Sequence, residues 1–343
     1  MLHFTTPKRF IALLFIIASF AAFNSSFAMT IKIATVAPDG TAWMKNMRAA
    51  AKEISEKTAG RVKLKFYPGG VMGNDKSVMK KIRLGQLQGG ALTGGSLATT
   101  YPDMQIYSLP MVFKNYDEID YVRPIIDPLL KQGMLKKGFT ILGISEGGFA
   151  YLMSNSTIKN IDDLKKHKLW IPEDDILNEA LFRKMGVHPL ALPLADVYTG
   201  LQTGLIDTIG ATTTGALAFQ WHTRIRSITD VPLLYLVGAL VVDNKRFSKI
   251  NAADQKVVKD VVQKTFAAMD KINREDNESA RQALVKMGTE FARPADSEIA
   301  SWKSFADEVI QETGSRAASP ELYKKLKGLL AEQRSKVKNS AGK

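Results

Sequence analysis

The chain has 343 residues, no cysteine, and 47 Lys and Arg against 34 Asp and Glu, a formal charge of +13. The missing cysteine excludes a lipid-anchored lipoprotein, a thiolate metal site, a disulfide framework and a cysteine nucleophile together. A basic excess is compatible with nucleic acid, anionic membrane or acidic ligands. However, the chain has no aromatic-interleaved basic strand and no zinc finger, and no nucleic-acid partner is expected.

The chain opens as an export signal. Lys8 and Arg9 form a basic start, and Phe10 to Phe23 is a nearly unbroken apolar run. That run is shorter than the roughly 20 residues needed to span a bilayer. Ser26-Phe27-Ala28 places small residues where a signal is cut, so cleavage after Ala28 and a periplasmic location are expected. Removing 28 residues leaves 343 − 28 = 315, enough for two domains.

Thr30 to Val36 alternates as a strand, and Asp39 or Thr41 can cap a helix over Ala42 to Lys57. Arg61 to Tyr67 alternates again and ends in Pro68-Gly69-Gly70. A short helix over Asp75 to Leu84 leads into another strand near Leu92. This β-α-β-α-β run predicts a mostly parallel, doubly wound sheet. Further on, the pattern predicts a helix over Glu118 to Lys137 and strands over Phe139 to Ile144 and Phe149 to Asn155, joined through Ser145-Glu146-Gly147-Gly148. Lys168 to Ala211 reads as strand, helix, strand, helix, strand. Val231 to Val242 reads as a buried strand, and long helices follow over Asn251 to Met287, Asp296 to Thr313 and Pro320 to about Lys336. From Glu321 onward there are seven basic residues and two acids, read as a solvated helical face, and Asn339 to Lys343 is expected to be disordered.

The stretch Leu190 to Gly210 carries P-L-A-D-V-Y-T-G-L-Q-T-G-L-I-D in one frame, with Tyr198, Gln202, Gly204 and Asp207 at fixed spacing. It resembles the solute-binding proteins of TRAP (tripartite ATP-independent periplasmic) transporters, the DctP-like family. F-Y-P-G-G-V-M-G near Phe66 and the I-K-N-I-D-D-L run before Lys168 fit the same family. The resemblance extends from Ile31 to about Gly314. It implies a two-domain α/β periplasmic binding protein with a cleft between the domains and a long domain-spanning helix. The expected division is 29–147 plus 237–276 for domain I and 148–236 plus 277–343 for domain II. The function it implies is capture of a small-molecule ligand by hinge closure and presentation to small and large TRAP permease subunits in the membrane.

The resemblance also implies where the ligand sits. The family grips a ligand carboxylate with an arginine, whose planar guanidinium makes two charge-assisted hydrogen bonds. The matching position here is Trp170, in the frame Lys168-Leu169-Trp170-Ile171-Pro172. A second family arginine corresponds to Ala150, and a family asparagine to Ala211. Trp43 and Trp221 also fall at cleft-facing positions, with Tyr198, Phe149 and Tyr151 nearby in the frame. Such an aromatic, charge-poor cleft favours an apolar, aromatic or cationic solute over a simple carboxylate. Trp43 also reads as packing the first strand on its helix, Trp221 as a core anchor and Tyr198 as core. Arg224 and Arg226 offer acid binding from another wall.

Other chemistries fit less well. Gly143-Ile144-Ser145-Glu146-Gly147 matches the hydrolase elbow G-x-S-x-G, which needs a strand before it and a helix after it; here an extended apolar run follows. His167, His188 and His222 lack metal-ligand spacing. Asp162-Asp163 and Asp174-Asp175 read as helix N-terminal acids. No phosphate loop is present, and no cofactor, metal or catalytic residue is expected. The alternative to a receptor is an exported interaction or scaffold protein whose cleft is plugged by Trp170.

Overall fold

A computed structural model describes residues 28–341 except Asp174. The expected export signal, apart from Ala28, lies outside the described residues, as do Asp174 and the last two positions. Among the described residues the strands are β1 Met29–Thr35, β2 Val62–Tyr67, β3 Gly89–Thr93, β4 Phe139–Ser154, β5 Trp170–Pro172, β6 Leu190–Leu192, β7 Thr208–Ala211, β8 Ser227–Thr229, β9 Leu234–Asp243 and β10 Glu290–Ala292.

The first lobe is built from the amino-terminal β-α-β-α-β run. β1 lies between β2 and β3, parallel to both. Helix Ala42–Lys57 connects β1 to β2 and buries Met44, Met47, Ala50 and Ile54 at helical spacing. Of its two candidate caps, Thr41 is the one used: its hydroxyl accepts the Met44 N–H. Two strands then carry the sheet across to the second lobe. β9 runs antiparallel to β3 and β4, and the end of β4 pairs antiparallel with β7 and β8. β8 is parallel to β10, and β5 and β6 form a separate parallel pair. Parallel pairing thus builds the flanks of an α/β fold, and the antiparallel ladders belong to the two strands that pass between lobes.

β4 differs from the expectation of two strands and a connection. It is one strand of 16 residues, because β9 follows it along most of its length. Register shifts between Ile141 and Gly143 and between Glu146 and Gly148 mark bulges. The small residues serve these bulges. Gly148 has φ +105°, and a Cβ on Gly143 would meet the Phe266 ring at 2.4 Å.

The helix Ala252–Lys286 has 35 residues and is about 50 Å long. It packs on helix Ala42–Lys57, on β4 and on helix Thr213–Ala218, and so runs along both lobes. Asn251 caps it by accepting the Asp254 N–H. Helix Asp296–Thr313 packs on helix Ile176–Lys184. The last helix, Pro320–Ala341, returns to helix Tyr116–Lys136, where Arg334 Nε donates to Glu118 Oε1 at 2.7 Å. That contact covers the buried Glu118 and an apolar face of the helix. The same helix is ordered through Ala341, past the Asn339 start of the expected disorder.

Candidate ligand-binding site

A cavity of about 330 Å³ lies between the lobes. Its walls come from the carboxyl ends of strands: Val36 after β1, Thr93 ending β3, Pro172 ending β5 and Thr212 after β7. In open α/β sheets ligands bind at such ends, where loops and helix starts converge. The lobes touch at this point, where the Asn74 side-chain amide donates to Glu173 Oε2 at 2.9 Å.

The aromatic wall is formed by three rings. Trp170 opens β5 beside Leu190 of β6, and its indole N–H donates to the Leu192 carbonyl at 3.0 Å. The one polar group of the indole is therefore used inside the lobe, and the cavity receives only the apolar ring. Trp221 meets Trp170 edge-on, with ring centroids 5.7 Å apart, and Phe219 stacks on Trp221 at 4.9 Å. The turn that presents Trp221 passes through Gln220 at φ +60°. Trp170 and Trp221 are 4% and 3% exposed, so their rings are fixed by packing.

The two alanines sit next to these rings. Ala211 of β7 pairs across the ladder with Tyr151 of β4, and Ala150 precedes Tyr151. Trp170, Ala150, Ala211, Trp221 and Tyr151 line one cavity. The other three expected residues lie elsewhere. Trp43 packs on the first-lobe core beside Met44 and Met47. Tyr198 packs on the second-lobe core. Phe149 joins an aromatic cluster, 5.1 Å from both Tyr116 and Tyr235. Arg224 and Arg226 are exposed and do not line the cavity.

Among the described residues no arginine lines the cavity, and Lys76 is the basic lining residue. Three carboxylates line it: Asp75, Glu173 and Asp175. Asp75 begins helix Asp75–Arg83, and its Oδ2 accepts the Thr93 N–H at 2.9 Å and the Thr93 hydroxyl at 3.0 Å. Burial raises its pKa above the usual range, partly offset by those bonds. Asp175 caps helix Ile176–Lys184 by accepting the Asn178 N–H, and burial raises its pKa too. Asp75, Asn178 and Phe219 were not singled out in the sequence. Their position just after strand ends, or at the start of the following helix, was the available signal.

The invariant-looking frame around Gly204 and Asp207 is structural. Gly204 ends helix Val197–Thr203 at φ +71°. Asp207 Oδ1 accepts the Lys168 N–H at 2.9 Å and meets His167 Nδ1 at 3.0 Å, which fixes the start of the Trp170 strand. Ser145 lies inside β4 with no helix after it, so the elbow geometry of a hydrolase is not formed.

A cleft at strand ends between two lobes joined by paired crossing strands defines an α/β solute-binding protein. The sequence profile of DctP, bacterial extracellular solute-binding protein family 7, matches residues 33–316. The chain belongs to this family and is a solute-binding receptor of the TRAP type, not an enzyme. It is 29% identical over 281 residues to the C4-dicarboxylate-binding periplasmic protein DctP of Rhodobacter capsulatus, covering 78% of this chain and 82% of that protein. It is 23% identical over 251 residues to the sialic acid-binding periplasmic protein SiaP of Vibrio cholerae serotype O1, covering 71% and 76%. The sugar acid binding protein DctPAm from Advenella mimigardefordensis, solved with galactonate, superposes with a TM-score of 0.81 at 18% identity, covering 90% of this chain and 99% of that one. The family to which the chain belongs is periplasmic.

Proposed function

We propose that this receptor captures a small apolar, aromatic or cationic solute rather than a simple carboxylate. The observation that carries the reading is Trp170. It lines the cavity at the position that the family resemblance matches to a ligand-gripping arginine, and no arginine among the described residues lines the cavity. An indole whose N–H is already bonded offers a ligand burial and ring contact, and no charge. The small-molecule carboxylates named for DctP, SiaP and DctPAm belong to those proteins. About 330 Å³ remains beside Trp170, which supports a solute site over a plugged cleft.

Ligand capture is by hinge closure. The hinge lies at the β4 bulge, Glu146 to Gly148, and in β9 opposite it, with domain I over 29–147 and 237–276 and the second lobe beyond. Binding stabilises the closed form, which is presented to small and large permease subunits. The chain reaches the periplasm through a signal cleaved after Ala28.

The test is a melting and small-angle scattering series on the mature protein. Aromatic or cationic compounds are expected to raise the melting temperature and reduce the radius of gyration, while succinate and galactonate do neither. Tight binding of succinate overturns the reading.

A further inference from the structure

We infer that the solute carries an ammonium group and that Asp75 is the residue that selects it. This inference rests on the non-carboxylate reading above and narrows it. Asp75 is 8% exposed and lines the cavity. Its Oδ2 is satisfied twice by Thr93, and the Ser96 hydroxyl also lies close to the carboxylate, but among the described residues no group partners its Oδ1. A buried carboxylate oxygen without a donor is costly, and folded proteins seldom leave one. The group that completes it is a hydrogen-bond donor, and a charged donor gains most because the surroundings are desolvated.

The rest of the cavity fits the same ligand. Glu173 and Asp175 add two further carboxylates near the lobe contact, against one lysine, Lys76, which is exposed. The second-lobe wall is aromatic: the nearly buried Trp170 and Trp221 and the more exposed Phe219 line it. Rings attract cations through their faces and accept apolar bodies by burial. A carboxylate ligand would instead meet the carboxyl groups of Asp75, Glu173 and Asp175 against the one ammonium of Lys76. An amine with an aromatic or aliphatic body satisfies Asp75 Oδ1 and covers the rings at once.

The experiment uses three compounds that share one ring system: tryptamine, tryptophol and indole-3-acetate. Each is titrated calorimetrically into the mature protein and into Asp75→Asn, with succinate as a fourth titrant. Tryptamine is expected to bind most tightly to the native protein. Asp75→Asn, which keeps the shape of the side chain, is expected to weaken tryptamine at least about tenfold and to leave tryptophol within about threefold. Its melting temperature without ligand is expected to equal or exceed the native value, since a buried charge is removed. If the variant fails to fold, Asp75→Ser is read in its place.

The ammonium assignment falls if tryptophol or indole-3-acetate binds as tightly as tryptamine, or if Asp75→Asn leaves tryptamine unchanged. It also falls if none of tryptamine, 2-phenylethylamine and 2-cyclohexylethylamine binds. Each of these outcomes leaves the receptor reading intact. Succinate binding more tightly than every indole compound overturns both.

Discussion

Asn277 donates its side-chain amide to the carbonyl oxygen of Gly147 at 3.0 Å. One side chain on the long helix therefore holds the bulge at which β4 passes between lobes. The Asn277 carboxamide oxygen also accepts from the Thr214 N–H at 3.3 Å and the Thr214 hydroxyl at 2.9 Å. Thr214 is the second residue of helix Thr213–Ala218, which follows Ala211 and Thr212 of the cavity wall. Two turns earlier Asp270 accepts the Glu146 N–H, and Asn273 donates to the Glu146 carbonyl. Helical spacing puts Asp270, Asn273 and Asn277 on one face, aligned with the bulge.

Asn277→Ala removes these bonds and leaves the Gly147 carbonyl and Thr214 without this partner. A loss of about 1–3 kcal/mol is expected in urea unfolding. Small-angle scattering without ligand should show a broader distribution of sizes than the native protein. An unchanged distribution would separate the bulge from the hinge.

Gly148→Ala tests the bulge directly. Its φ of +105° is outside the range that L-residues favour, and a Cβ there would meet Asn277 Nδ2 at 2.7 Å. A cost of about 1–2 kcal/mol or more is expected. The check is the midpoint of urea unfolding, with an unchanged slope.

Trp170 can be altered in two informative ways. Trp170→Ala removes the edge contact with Trp221 and opens the wall, which should cost about 3–5 kcal/mol. Trp170→Arg buries a charge with no partner and should also lower the melting temperature. Succinate is then expected to raise the melting temperature of the arginine variant and not that of the native protein. Failure of succinate to stabilise the variant would show that the missing guanidinium does not alone decide against acids.

Arg123 joins three acids behind the cavity. Its guanidinium lies 2.7 Å from Glu146 and 2.7 Å from Asp270, and 3.2 Å from Asp127, with its side chain 13% exposed. It also donates to the Ile144 carbonyl at 2.9 Å. Arg123→Ala leaves Asp127 and Asp270 without this counter-charge, so about 3–5 kcal/mol of stability should be lost. Arg274 still pairs with Glu146 at 2.7 Å, which keeps the loss from being larger. Equilibrium unfolding of the variant measures it.

The pH dependence of Asp75 has a defined sign. Burial raises its pKa in the folded state. Between the unfolded value and the raised folded value the native protein therefore binds more protons than the unfolded chain. Stability falls as pH rises through that window, and the cost persists above it. Asp75→Asn, which cannot ionise, should raise the melting temperature at about pH 7. The gain should vanish at about pH 3, where the native carboxyl is protonated in both states. An equal gain at both pH values would mean that charge burial is not the cause.

Much of the fold was legible in the residues. Strands that alternate with helices of clear period, closed by Thr41, Asn251 and other caps, are local signals and survive folding. Five of the residues that line the cavity, Trp170, Ala150, Ala211, Trp221 and Tyr151, fall in a sequence frame whose Asp207 bonds the start of the Trp170 strand. Trp43, Tyr198 and Phe149 do not line it; an aromatic side chain serves a core and a cleft equally well at the level of sequence. Asp75 was missed for the opposite reason. As the first residue of a helix it looks like an ordinary N-terminal acid, and only its burial beside Thr93 leaves an oxygen unpartnered.

By itself the amino-acid order determined the alternation of strands and helices and the motifs by which the chain resembles its family, because periodicity, caps and motif spacing are short-range properties of the chain. Tertiary structure alone decided that β4 is one continuous strand, that the last helix covers the first lobe, and that Trp170 bonds its N–H to Leu192. These depend on which strand or helix arrives alongside from far away in the chain. Burial and hydrogen-bond satisfaction are settled only when those distant partners meet.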